Sequence, residues 1–246
     1  MKKSVVIIKL KTYQQNKNQN KMKKDNETEN RILMLMLGVF ISLFSVGNPG
    51  MGEGWRTLFN GKNFDGWEYR GGGDEPPTFD VENGAIVGRT LIPRNKGAFM
   101  ATKEQFRDFE LVFEVKIDEG LNSGVQVRSA PEGTVRGAQI EIESGSRKTG
   151  FIFGQGMGMW LSEDLPEKNE AFEKGKWNQF RAVVQGQNIK TWVNGKPVAD
   201  TTHERIAQEG VIALQVHGYP RGKWREQGAD NTLSVAWKNI KIRELP

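Results

Sequence analysis

The sequence predicts an all-β protein, a two-sheet antiparallel sandwich of the jelly-roll type. Two observations lead to this prediction. Short segments in which apolar and polar side chains alternate recur along most of the chain, and this period of two is typical of half-buried strands. The segments are separated by short turns rich in Gly and in Asn-Gly pairs, which favours a sandwich or barrel. The chain has 246 residues, enough for one large domain with a sizeable core.

The first part of the chain differs from the rest in composition. Residues 1–31 are rich in Lys, Asn and Gln, and we expect them to be disordered. Met22, which is followed by Lys23 and Lys24, would be a more usual first residue for an exported chain. Residues 32–46 are uncharged and apolar, short for a membrane-spanning helix and typical of the apolar core of a signal peptide. Residues 47–54 form a linker. We therefore expect an exported protein, periplasmic or extracellular. An uncleaved N-terminal anchor, with membrane contact only through this segment, is the alternative.

The charge distribution argues against a nucleic-acid partner. The chain has 35 Lys and Arg against 30 Asp and Glu, but residues 1–31 hold nine of the basic residues and only three of the acidic ones. The rest of the chain is left with 26 basic and 27 acidic residues, so the part expected to fold has no basic excess. The absence of Cys excludes thiol catalysis, disulfide bonds and zinc sites built on Cys.

From residue 55 onward the sequence predicts strands joined by turns, and we treat residues 55–246 as one domain. An Asn83-Gly84 pair predicts a tight hairpin turn. A change in the alternation within the last strand predicts a β-bulge near Lys238 and Asn239. A short helix is expected only near residues 167–173. The predicted strands cover residues 79–87 (as a hairpin), 108–118, 124–128, 139–143, 177–185, 189–193, 211–217 and 233–242.

The candidate site lies on two strands near the middle of the chain. Residues 124–128 and 139–143 are joined by a connector with Pro131 and Gly133, so we expect them to pair as a hairpin. Their polar side chains alternate with apolar ones and are therefore expected to share one face. These side chains are Gln126, Arg128, Gln139, Glu141 and Glu143. A guanidinium, two carboxylates and two amides on one face indicate a surface for a polyhydroxylated ligand. A solvated face with a cross-strand Arg–Glu pair is the alternative.

Three residues outside this hairpin extend the candidate site. In the predicted strand 211–217, Gln215 and His217 lie on the face opposite the apolar positions. An imidazole with a pKa near neutrality can act as a base or an acid, and a hydrogen-bonded structural role is the alternative for His217. Trp160 is a candidate platform for stacking a sugar ring, although Trp in a sandwich is more often part of the core.

The sequence implies no particular cofactor. Two His and no Cys exclude the common zinc sites. Glu141, Glu143 and backbone carbonyls could hold a calcium ion, so a divalent metal stays an open alternative. A serine nucleophile is not indicated, because the chain has no Gly-x-Ser-x-Gly segment.

Several segments, taken in order, resemble a bacterial family called the 3-keto-disaccharide hydrolase domain, first known as a domain of unknown function. The resemblance covers residues 55–246 nearly end to end. The chain departs from the family pattern at Glu141, where Asp is more usual, and at Phe153, where the family has Tyr. The matching segments are Leu58-Phe59-Asn60-Gly61-Lys62 with Gly66-Trp67, Phe79-x-Val81-x-Asn83-Gly84 with Val87, Asn122-Ser123-Gly124-Val125 with Arg128, Gly137-x-Gln139-x-Glu141-Ile142, Gly175-x-Trp177-Asn178, Trp192-x-Asn194-Gly195, Leu214-Gln215-x-His217-Gly218 and Lys238-Asn239-Ile240-x-Ile242.

The resemblance implies a concanavalin-like jelly roll in an exported hydrolase that acts on glycosides oxidised to a ketone at C3. Such a ketone makes the C2 proton acidic, so a base can remove it, the C1 substituent can leave, and water can add. Glu141 or His217 is the expected base, Arg128 the stabiliser of the enolate, and Gln139 a ligand of a sugar hydroxyl. The other expected substrate contacts are Gln126, Glu143, Gln215 and Trp160. Two alternatives stay open, a carbohydrate-binding module without catalysis and a structural or adhesion domain.

Overall fold

The computed structural model describes residues 54–71, 78–90, 97–144, 148–163, 170–218 and 232–246. The expectations for residues 1–31, for residues 32–46 and for nearly all of the linker lie outside these residues. No helix long and apolar enough to cross a membrane is found in the described part of the chain. Its strands are β1 (Arg56–Thr57), β2 (Trp67–Gly71), β3 (Thr78–Glu82), β4 (Ala85–Thr90), β5 (Ala98–Phe106), β6 (Phe109–Ile117), β7 (Asn122–Ser129), β8 (Gly137–Glu143), β9 (Ile152–Gln155), β10 (Met159–Trp160), β11 (Asn178–Gln185), β12 (Asn188–Val193), β13 (Lys196–Thr202), β14 (Gly210–Val216) and β15 (Leu233–Glu244).

These strands form two antiparallel sheets that pack face to face. The eight-stranded sheet has the order β13-β12-β11-β6-β15-β4-β3, with β1 paired to β15. The seven-stranded sheet has the order β10-β9-β8-β7-β14-β5-β2. The predicted all-β, two-sheet antiparallel sandwich is therefore confirmed. The strands of the candidate site, β7, β8 and β14, are neighbours in the middle of the seven-stranded sheet.

The alternating apolar side chains of both sheets form the core between them. Phe113 of β6 stacks on Phe180 of β11, with the ring centroids 5.0 Å apart, and both rings are buried. Full burial of one such side chain contributes about 1.5–3 kcal/mol, so a one-residue slip in register would be strongly disfavoured. The six apolar residues expected to be buried beneath the candidate site are at most 1% exposed: Val125, Val127, Ile140, Ile142, Leu214 and Val216.

The turn and bulge predictions are confirmed, and the helix prediction is wrong where it can be checked. Asn83 and Gly84 both have positive φ in the hairpin between β3 and β4. Asn239 also has positive φ, and the pairing of β15 with β6 shifts register just after Lys238, which is the predicted bulge. Residues 170–173 are not helical; the remainder of the predicted helix, residues 167–169, lies outside the described residues.

Candidate functional site

The outer face of the seven-stranded sheet, which points away from the core, carries a compact polar cluster on β7 and β8. The antiparallel register places Gln126 opposite Gln139 and Gly124 opposite Glu141, as expected for the predicted hairpin. Because apolar residues occupy the alternate positions and face the core, these polar side chains share the outer face. We call Asn122, Gln126, Ser129, Gln139 and Glu141 the amide–carboxylate cluster.

The cluster is held together by a continuous series of hydrogen bonds. The Ser129 hydroxyl donates to Gln126 Oε1 over 2.9 Å, and Gln126 Nε2 donates to Gln139 Oε1. Gln139 Nε2 then donates to Glu141 Oε2 over 2.8 Å. Asn122 Nδ2 donates to the other carboxylate oxygen, Oε1, so both oxygens of Glu141 accept from an amide.

Glu141 is a buried carboxyl group with an altered acidity. Its residue is only 5% exposed, and this burial raises the pKa of Glu141 above its usual value because the charged form is poorly solvated. The hydrogen bonds from Gln139 and Asn122 oppose this rise in pKa, since they stabilise the carboxylate. Nearby charges act in both directions, Glu143 raising the pKa and His217 lowering it. A positioned carboxyl group with a raised pKa is well suited to proton transfer.

Gln215 lies beside the cluster and has an unsatisfied acceptor. It pairs with Gly124, so Gln215 and Glu141 flank a glycine on the same face. Gln215 is 3% exposed, and its Oε1 atom has no hydrogen-bond partner among the described residues. Leaving a buried acceptor unpaired costs about 1–3 kcal/mol, so this oxygen is available to a hydrogen-bond donor from outside the described residues.

Aromatic and imidazole side chains border the same face. The Trp160 ring packs edge-on against Phe153, with centroids 5.2 Å apart, and Lys148 Nζ lies 5.1 Å from the Trp160 centroid. Phe153 pairs with Gln139, so this aromatic pair is next to the cluster. His217 follows the end of β14 and is exposed, with its Nδ1 2.7 Å from the carbonyl oxygen of Gly218.

Arg128 does not lie with the cluster, and the prediction that it shares a face with Glu141 is wrong. Its side chain is 1% exposed and reaches across the sandwich to the eight-stranded sheet. There it forms an ion pair with Asp108 at 2.5 Å. Every N–H of the guanidinium has an acceptor, because the remaining bonds go to backbone carbonyls of Arg107, Val184, Gly186 and Ala207.

A β-bulge explains this reversal. Ser129 pairs with Val211 and Gln126 pairs with Ala213, so two residues of β7 stand opposite one residue of β14. The extra residue shifts the alternation, and Arg128 has a φ of 53°, in the left-handed region. As a result Ser129, rather than Arg128, joins Gln126 on the outer face.

Three members of the site are not among the residues that the sequence predicts. Asn122 continues the alternation of Gly124 and Gln126 by one step, so its position on the outer face follows from the same pattern. The position of Ser129 on the outer face could be predicted only if the bulge in β7 were known. Gly124 is explained by close packing: an added Cβ would lie 2.4 Å from Gln139 Cδ.

Glu143, a predicted substrate contact, is partly exposed beside the cluster. Its described hydrogen bonds involve only its backbone and go to Thr149.

The described residues show no alternative centre of comparable chemistry. No group of three or more His, Asp or Glu side chains in the described ranges is arranged to hold a metal ion. A cleft of about 340 Å³ lies at the edge of the sandwich, between β13 and residues 151–163. Several of its polar groups are bonded to one another or to neighbours, as in the 2.8 Å contact between Ser162 Oγ and Thr201 Oγ1. We therefore place the candidate site on the outer face of the seven-stranded sheet.

Gly124→Ala is expected to break the cluster. Gly124 does not have positive φ, so an effect of the substitution would come from the added methyl group and not from backbone strain. Gln139 would have to move, and Glu141 would lose a donor, which should raise the pKa of Glu141 further and destabilise the fold by about 1–3 kcal/mol. Thermal unfolding and a carboxyl NMR titration measure both effects. An unchanged titration of Glu141 would contradict the close packing described here.

Comparisons with known proteins show that other solved structures share this fold. The sandwich is shared with a protein from Parabacteroides distasonis assigned as a glycosyl hydrolase, at 21% identity and a TM-score of 0.57, covering 79% of this chain and 95% of that one. It is also shared with the carbohydrate-binding module CBM66 from Bacillus subtilis, at 15% identity and a TM-score of 0.51, covering 73% and 96% of the two chains. At these identities the likeness concerns the fold.

The family of the chain is established by its sequence. A model of the 3-keto-alpha-glucoside-1,2-lyase-like domain matches residues 54–243, so the chain belongs to this family. A 3-keto-disaccharide hydrolase from Bacteroides thetaiotaomicron is 32% identical over 81 residues, which are 31% of this chain and 28% of that protein. The predicted family is confirmed.

Proposed function

We propose that this protein cleaves glycosides that carry a ketone at C3, with Glu141 as the general base. The observation that supports this proposal is the buried Glu141 carboxyl group, which is held at both oxygens by amides and has a raised pKa. A carboxylate of this kind is matched to removing the C2 proton, whose acidity the neighbouring ketone increases. The family to which the chain belongs carries this 1,2-elimination in its description.

The steps can be written with the groups present on this face. Glu141 takes the proton from C2, and the electrons of that bond form an enolate across C2 and C3. The enolate then collapses, C1 and C2 become doubly bonded, and the C1 substituent leaves with a proton. Water then adds its hydroxyl to C1, and Glu141 returns its proton to C2, which gives the free 3-keto sugar. The remaining proton of the water replaces the one taken by the leaving group, so both catalytic groups are restored. His217, exposed and within electrostatic range of Glu141, is the proposed proton donor to the leaving group.

Arg128 has no part in this proposal. Its donors are occupied by Asp108 and by backbone carbonyls, so none is left for the enolate oxygen. The substrate contacts that we retain are Gln215, which would accept from a sugar hydroxyl, and Trp160, whose ring would stack on the sugar. Gln126 donates to Gln139, and Gln139 donates to Glu141, so we propose that these amides act on the carboxylate instead of on the sugar.

A retaining glycosidase mechanism fits these residues less well. It requires two carboxyl groups roughly 5 Å apart, one as nucleophile and one as acid. Glu141 and Glu143 are two residues apart on one strand, a separation of about 7 Å along the backbone. Of these two carboxyl groups, only that of Glu141 belongs to the amide–carboxylate cluster.

The proposal is tested by incubating the protein with a panel of 3-keto-glycosides and with the same glycosides unoxidised. Release of free 3-keto sugar from the oxidised members only would support it. Binding without release would favour the second candidate, a carbohydrate-binding module, for which the unpaired acceptor of Gln215 beside Trp160 is the supporting observation. Cleavage of the unoxidised parents at equal rates would rule out elimination, because their C2 proton is not acidic.

Gln215 is expected to contribute to substrate affinity through its free oxygen. Gln215→Leu removes the acceptor while keeping a similar side-chain volume. KM should rise about tenfold, because the loss of one hydrogen bond changes affinity by about this factor. The change in kcat should be smaller. Gln179→Leu, at an exposed position of the eight-stranded sheet, is the matched control. Equal KM values for Q215L and the wild type would remove Gln215 from the binding site.

A further inference from the structure

We propose that Ser129, Gln126 and Gln139 form a one-way hydrogen-bond relay that positions the Glu141 carboxylate. In this proposal Ser129 and Gln126 are positioning residues, which act on the reaction although they touch neither the substrate nor the reacting atoms. The proposal rests on the function assigned above to Glu141. It deepens that function by naming what fixes the base in place.

The direction of the relay is dictated by its charged end. An ionised carboxylate can only accept, so Gln139 must turn its NH2 group toward Glu141. The Gln139 carbonyl oxygen then faces Gln126, which must also present its NH2 group. The Gln126 oxygen is left facing Ser129, whose hydroxyl must donate. Because the Glu141 carboxylate can only accept hydrogen bonds, it sets the orientation of two amides and one hydroxyl.

The relay has little freedom to rearrange. Ser129 and Gln126 are fully buried, and Gln139 is 2% exposed, so water cannot readily replace a lost partner. The Gln139 side chain is packed over Gly124, where a Cβ would lie 2.4 Å from its Cδ. Asn122 holds the second carboxylate oxygen from the other side. Removing the donor at the far end would leave the buried Gln126 oxygen unpaired and weaken the support that the two amides give to the carboxylate.

Among the residues that the structure describes, few charged groups lie around Glu141, so a change in its pKa that is transmitted by the relay can be recognised. Glu143 lies on the same strand and His217 follows β14. Lys148 stands on the segment that leads to β9, and it lies over Trp160. Arg128, the charged residue of β7, reaches to the opposite sheet. Ser129 and Gln126 are neutral, and their replacement by neutral residues leaves all these charges in place.

The decisive experiment compares two buried serines of the same strand. Ser129→Ala removes the first donor of the relay, whereas Ser123→Ala removes a hydroxyl that donates to the Gln215 carbonyl over 2.7 Å. Both serines are fully buried, so the two changes are matched in size and burial. The readout is the pKa of Glu141 from a side-chain carboxyl NMR titration, assigned by the signal lost in the E141Q variant.

We expect the pKa of Glu141 to rise by roughly half a unit in S129A, since the carboxylate loses part of its amide support, and to stay unchanged in S123A. Gln126→Met is a second relay variant and should raise the pKa further. In turnover, the acid limb of the pH–rate profile should move by the same amount, and kcat should fall with little change in KM. Ser129→Thr keeps the donor and should titrate like the wild type.

The relay would be overturned if S129A and Q126M titrate like the wild type, or if S123A shifts the pKa of Glu141 equally. A failure of the proposed function looks different. Shifted titrations in a protein that releases no 3-keto sugar would support the relay as a device that holds the carboxylate, and would refute the role of Glu141 as the base.

Discussion

Glu141→Gln is expected to lower kcat/KM for a 3-keto-glycoside by at least about a hundredfold. General base catalysis contributes on the order of 10²–10⁴-fold, and an amide of the same shape cannot accept the C2 proton. The effect should fall on kcat, because the sugar contacts at Gln215 and Trp160 remain. Single-turnover measurements with the purified variant separate the chemical step from binding.

The same substitution has a predictable effect on stability as the pH changes. The pKa of Glu141 is raised in the folded protein above the usual value of 4.5, mainly by burial. The folded state therefore favours the protonated acid, and this contribution to stability is present below pH 4.5 and is lost as the pH rises through the raised pKa. The amide side chain of E141Q does not titrate. The difference in melting temperature, E141Q minus wild type, should grow from acidic to neutral pH.

Two results would contradict this account of Glu141. Turnover by E141Q at near the wild-type rate would remove Glu141 from the chemistry. A melting difference that is constant with pH would mean that the carboxyl group does not have a raised pKa. Glu68, which is exposed on β2 of the same sheet, is the matched control, and E68Q should match the wild type in both measurements.

Strand alternation is sufficient to predict which polar side chains of the candidate site share a face of the sheet. The pattern of β7 and β8 predicts that Gln126, Gln139 and Glu141 share a face because Val125 and Ile140 at the alternating positions must be buried. The family resemblance then directs attention to Glu141. This part of the site depends on local periodicity and on one hairpin, which are both visible in a single sequence.

Arg128 and Ser129 show where local pattern ceases to be informative. The bulge that exchanges their faces is set by how β7 pairs with β14, a strand more than eighty residues further along the chain. Nothing within β7 signals it, since Arg is not a residue that favours positive φ. The bond partners of Asn122 likewise depend on side-chain geometry. A sequence pattern predicts a face, but it does not predict which polar groups on that face bond to each other.

Arg128 is therefore expected to matter for folding. Arg128→Ala should destabilise the protein by about 3–5 kcal/mol, because Asp108 loses its buried partner and four backbone carbonyls lose a charged donor. For a domain of this size the melting temperature should fall by roughly 10 °C. Arg128→Lys should recover little, since one ammonium group cannot reach acceptors that surround a planar guanidinium.

The position of Arg128 in the bulge adds an internal check to this prediction. Because its φ is 53°, Gly at this position should be about 1 kcal/mol less destabilising than Ala, which has a Cβ that disfavours left-handed backbone. Arg89, which pairs with Asp80 and Glu82 on the surface, is the matched control, and its change to Ala should cost under about 1 kcal/mol. Thermal unfolding of the four variants, with turnover measured well below their melting temperatures, tests the whole series. If R128A instead melts like the wild type and fails only in turnover, the guanidinium acts on the substrate. Its buried contacts would then contribute little to the stability of the fold.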